Sequence, residues 1–83
     1  MASIGEVRAA LEQAGEILRE SYRNVRTAQE DLDEAVTILA ESSENHHESL
    51  LPPEFVRAKE RFPDQLELMA GTLERIQRLT VEL

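Results

Sequence analysis

Glu44 and His47 form the one Glu-x-x-His spacing in the chain. That interval sets a carboxylate and an imidazole on the same face of a helix, and repeated on facing helices it holds a pair of metal ions in carboxylate-bridged bundles. A two-fold dimer would supply two copies of the pair. Both residues lie in the polar stretch Ser42 to Ser49 and at outward positions of the helical pattern, and no second inward carboxylate accompanies them. They read as part of a solvated turn, so no metal site is expected.

Lys59 falls at an inward-pattern position, where an amine is costly to bury unless it reaches water or a carboxylate. The acidic run Glu30-Asp31-Leu32-Asp33-Glu34 offers the carboxylates, and two readings compete: Lys59 reaches Glu34 or the Asp31–Glu34 cluster near the turn and so helps set the register, or it sits at a frayed, wet end. No nucleophile or acid–base companion stands beside Lys59, so no catalytic residue is assigned and an enzyme is not expected. The same acidic run and the basic trio Arg19, Arg23 and Arg26 read as solvated faces. The sharper alternative is electrostatic pairing with Arg57, Lys59 and Arg61 of the second helix or of a neighbouring subunit. Tyr22 lies beside the inward ladder, where an amphipathic ring lines an interface or rims a ligand pocket.

The elements that position these groups follow from one periodicity. Ile4, Leu11, Leu18, Val25, Leu32 and Leu39 recur every seventh residue, the repeat of a coiled-coil helix packed on helix. Ser3-Ile4-Gly5-Glu6 fits a capping box, which starts the first helix. No proline interrupts it as far as Ser42, so helix 1 is expected over about 4–42, roughly 58 Å at 1.5 Å per residue. The turn is expected over about 43–52, ended by Pro52-Pro53, where Pro53 suits the first turn of a second helix and Glu54 favours its positive end. A second ladder of Phe55, Phe62, Met69, Ile76 and Leu83, with Leu66, Leu73 and Thr80 on the companion rung, predicts helix 2 over about 53–82. Pro63 predicts a kink or break near 62–63.

The two ladders interlock as an antiparallel helical hairpin in an all-α fold. Leu39 is paired with Phe55, Leu32 with Phe62, Val25 with Met69, Leu18 with Ile76 and Leu11 with Leu83, residue numbers that add to 94. On helix 1 the companion rung is read as Val7, Ala14, Ser21, Ala28 and Ala35, small side chains that let the axes approach. Two helices cannot cover everything apolar. Ile4, Val7, Ile17, Tyr22, Val36, Ile38, Val56, Leu68 and Leu79 are left over, each worth about 1.5–3 kcal/mol on full burial. They are the candidate interface, and a homodimer forming a four-helix bundle is the expected outlet, with a different protein partner as the competitor.

Composition narrows the function classes. A chain of 83 residues is one small domain with a thin core, and without cysteine it has no disulfide to staple it. Seventeen acidic residues against nine basic give a net charge of -8, which repels phosphate backbones and anionic lipid, so neither nucleic acid nor membrane is expected as a partner. The excess sits in residues 1–50, with eleven acids and four bases. No apolar run reaches the ~20 residues of a membrane span, no export signal is visible, and a cytoplasmic location is expected.

A short acidic chain of two helices about the central turn Ser43 to Leu51 resembles, over its whole length, the WXG100 helical hairpins associated with type VII secretion. The resemblance implies the hairpin shape. The turn has no Trp-x-Gly, and the tail Leu79-Thr80-Val81-Glu82-Leu83 has no Tyr-x-x-x-Asp/Glu pattern, so no functional residue is carried over. The expected role is a non-enzymatic scaffold, adaptor or small regulator without a cofactor. The alternative is a bundle binding a small apolar molecule among Tyr22, Met69 and the phenylalanines.

Overall fold

The computed structural model describes every residue from Met1 to Leu83 as two helices and one turn, α1 Ile4–Ser43 and α2 Pro53–Glu82. They lie antiparallel as a rod of 65 × 18 × 15 Å. The start of α1 is held by Ser3, whose Oγ accepts the Glu6 amide at 3.1 Å and whose carbonyl accepts the Val7 amide at 3.0 Å. One orphan donor of the first turn is thereby satisfied by a side chain.

Ser43 closes the other end of α1. Its hydroxyl donates to the Leu39 carbonyl at 2.7 Å and accepts the Leu50 amide at 2.8 Å, so one side chain ties the returning chain to the last helical turn. Pro52 is extended at φ -63 and ψ 137, and Pro53 and Glu54 open α2, where a missing amide hydrogen is harmless and a carboxylate meets the helix dipole. Ser43→Ala removes both bonds and should lower stability by about 1–2 kcal/mol. Urea denaturation followed by circular dichroism measures it; an unchanged midpoint would mean that water replaces the hydroxyl at no cost.

Of the kink or break expected near 62–63, the break is absent: α2 runs without interruption through Pro63. Proline removes one donor, the amide that would reach the Lys59 carbonyl. Phe62 and Leu66 stay on the shielded side across it, one half-buried and one buried, while Pro63 itself is exposed. Packing on both flanks keeps the two halves in phase, and most helix stability in proteins comes from such packing rather than from local propensity.

Along α1 the positions shielded at every turn are Leu11, Gly15, Leu18, Tyr22, Val25, Gln29, Leu32, Val36, Leu39 and Ser43, in alternating steps of four and three. The first ladder is therefore inward, but its companion rung is Gly15, Tyr22, Gln29, Val36 and Ser43. Of the small rung expected there, Ala14 and Ala28 are exposed, and Ser21 and Ala35 stand half-shielded at the shoulder. On α2, Phe62, Leu66, Met69, Leu73, Ile76 and Thr80 are inward as expected, joined by Val56, while Phe55 and Leu83 are exposed.

This change of rung moves the register by about one helical turn. A Cβ on Gly15 would lie 3.7 Å from Ile76 Cγ2, and Lys59 Nζ lies 3.8 Å from Asp33 Oδ1. Facing residue numbers thus add to about 91, rather than 94. Glycine at position 15 lets Ile76 come in against the α1 backbone, which an Ile76–Leu18 pairing would not allow. Lys59 meets the acidic run at Asp33. With this register α2 ends level with about Arg8, and the first turn of α1 projects past it with Ile4 64% exposed. Only Gly15 and Leu66 are buried.

Candidate interaction face

Along α1, and along α2 from Phe62 to Thr80, the seam keeps the same stripes inward, so the flanks on either side also keep their identity. On one flank an open groove of about 650 Å³ runs between the helices, with Leu11, Gly15, Ile76 and Thr80 beneath and Glu12, Glu16, Arg19, Gln77 and Val81 around it. This places the α1 stripe Glu12, Arg19, Arg26, Asp33 on the same side as the α2 stripe Glu60, Glu67, Glu74, Val81. Ion pairs fill that side: Arg19 with Glu16, Arg26 with Glu30, Lys59 with Asp33 and, at its edge, Arg78 with Glu74. Asp33 Oδ1 is shielded from solvent without a hydrogen-bond donor; the Lys59 ammonium at 3.8 Å offsets its charge but is too far for a hydrogen bond.

The opposite flank has another character. On α1 it consists of Val7, Ala14, Ser21, Ala28 and Ala35 and, one stripe further out, Ala10, Ile17, Asn24, Asp31 and Ile38. Helical geometry puts these on one side because steps of three and four return to the same face. Asp31 is the only charge among them. The α2 stripes on this side are Ala58, Gln65, Thr72 and Leu79, then Arg61, Leu68 and Arg75. Ile17 is 59% exposed, Ile38 54%, Leu68 67% and Leu79 43%. Four large apolar side chains therefore stand in water on one broad face, framed by small residues.

The nine leftover apolar residues divide accordingly. Val7, Ile17, Ile38, Leu68 and Leu79 share the open face. Ile4 projects from the end of α1 in line with the seam. Tyr22 and Val36 are half-buried in the hairpin's own seam because their rung is the one that faces the other helix, and Val56 is half-buried at the turn end of α2, where it and not the exposed Phe55 is shielded. Tyr22 and Met69 thus pack inside the hairpin, and neither these two nor the phenylalanines line the groove at Gly15. A shallower depression lies on the back of α2 over Gly71, between Glu67, Leu68 and Arg75.

Glu44 follows the end of α1 and donates its amide to the Glu41 carbonyl at 3.2 Å. Glu44 and His47 are both exposed in the turn. His46 folds inward on the local backbone, its Nδ1 3.3 Å from the Glu48 amide nitrogen. No three His, Asp or Glu side chains come together in a metal-binding group, and neither helix is long and apolar enough to cross a membrane.

The extent of the uncovered surface has a scale. A compact monomer of 9.4 kDa exposes about 5,000 Å² by the usual dependence of area on mass; this chain exposes 6544 Å². The broad face, 65 by 18 Å, has a projected area on the order of 1,000 Å², against the ~800 Å² per partner that specific protein interfaces bury. No protein family, curated protein or solved structure matches the chain.

Proposed function

We propose that the chain is a non-enzymatic interaction protein that works by presenting its sparsely charged face to another helical surface, in the first instance a second copy of itself. The supporting observation is that Ile17, Ile38, Leu68 and Leu79, all exposed, lie on the side whose four stripes carry only Asp31, Arg61 and Arg75 as charges. Scattered exposed leucines are ordinary on a monomer, whereas four large apolar side chains on one side of a chain with two buried residues call for cover. Two hairpins joined on this face make a four-helix bundle, the common closed solution for such helices. A scaffold, adaptor or small-regulator role follows from a surface whose chemistry is apolar contact framed by charge.

Sedimentation at micromolar concentration should give about 19 kDa, twice the chain mass of 9.4 kDa, and Ile17→Asp with Leu68→Asp should return the protein to monomer. A wild-type monomer unchanged across dilution would sink this reading.

A further inference from the structure

Resting on the self-association proposed above, we infer that the second copy sits with its α1 across this chain's α2, the two-fold axis running parallel to the helices. Two stackings bring the sparsely charged faces together with every neighbouring pair of helices antiparallel. In one, α1 lies on the partner's α1 and α2 on the partner's α2. In the other, each α1 lies on the partner's α2.

Charge separates them. Along α1 the face carries Asp31 and its edge is acidic at Glu20 and Glu34; along α2 the face carries Arg61 and Arg75, and the stripe behind them holds Arg57 and Arg78 against one acid, Asp64, so that this side is basic on balance. Of these charges only Arg78 forms an ion pair within the hairpin, as Arg19, Arg26 and Lys59 do elsewhere. Stacking like on like sets acidic edge against acidic edge and basic against basic. Crossing the helices sets each acidic edge against a basic one, twice by symmetry.

Heights along the rod agree. The crossed stacking keeps both copies level, so facing numbers again add to about 91. Asp31 and Glu34 then stand level with Arg61 and Arg57, and Glu20 lies within about one turn of Arg75. Asp31, the one charge on the α1 part of the face, meets an arginine. Leu79 comes over the small pair Ala10 and Ala14, and Asn24 comes level with Gln65, to which it can hydrogen-bond.

Two charge variants test the pairing. Asp31→Arg and Arg61→Glu each place two like-charge contacts in their own homodimer and should each weaken the dimer roughly tenfold. Mixed together they pair Arg with Glu at one site and Asp with Arg at the other, so the mixture should dimerise to within about threefold of wild type. An intrachain contact cannot produce that rescue. Since the chain has no cysteine, Asn24→Cys mixed with Gln65→Cys should oxidise to a mixed disulfide dimer, whereas Asn24→Cys alone should not link to itself. A wild-type dimer in which the charge variants fail to rescue each other and Asn24→Cys links to itself overturns the crossed stacking and leaves self-association standing. A wild-type monomer removes both.

Discussion

Leu66→Ala should lower the stability of the hairpin by about 2–3 kcal/mol, near the low end for deleting a buried leucine side chain, because a seam only two helices thick can close partly over the gap. Leu66 is the one apolar side chain that is buried, 7% exposed, while every other large apolar residue of the seam keeps some contact with solvent. For a domain of this length, 1 kcal/mol moves the melting temperature by ~4–8 °C, so the expected fall is about 10–20 °C. In a core this small the loss is a large part of the total. Thermal and urea unfolding by circular dichroism check it at one fixed protein concentration, since association adds stability by mass action. A loss below about 0.5 kcal/mol would mean that the seam is not held at Leu66.

Pro63→Ala should act in the opposite direction. A proline in a helix interior is less favourable than alanine by ~3 kcal/mol, through the missing amide and the clash of its ring with the preceding turn. Pro63 is exposed, and α2 is helical on both sides of it. Alanine restores the bond to the Lys59 carbonyl without touching the seam. A gain of about 1–3 kcal/mol is expected, a rise of roughly 5–20 °C in melting temperature, with slower amide exchange around Lys59. An unchanged or lower melting temperature would show that proline's restraint on this turn of the helix helps to hold Val56 and Phe62 on the seam together.

The helices and their direction are legible because a seven-residue ladder has only one regular solution. Ile4 to Leu39 and Phe62 to Ile76 mark inward faces that no strand or loop would repeat, and Ser3, Pro52 and Pro53 mark the ends to within a residue. The companion rung on α1 is harder to see. Positions three and four beyond each ladder residue flank it equally, and the rung three on, Ala14, Ser21, Ala28 and Ala35, suits close-packed helices as well as the rung that is used. Bulk is the signal that separates them, since Tyr22 and Val36 have more apolar surface to remove from water than any alanine. That choice hides Tyr22 and Val36 in the seam and leaves Val7, Ile17 and Ile38 of α1 outside. Helix through Pro63 was not legible either, because what overrides the proline is tertiary packing, which no local pattern contains.

The Ser43 lock also bears on the order in which the chain assembles. Asp33 and Lys59 are 26 residues apart, whereas Gly15 and Ile76 are 61 apart. Closing the longer loop first costs only ~0.7 kcal/mol more in chain entropy, but once the turn end is shut each further layer encloses only a few new residues. A hairpin tied by one hydroxyl at its bend is therefore expected to zip from the bend toward the termini, with the projecting turn around Ile4 the last to settle. Ser43→Ala should accordingly slow folding more than it speeds unfolding, so the same hydroxyl that stabilises the turn also gives the chain its starting point.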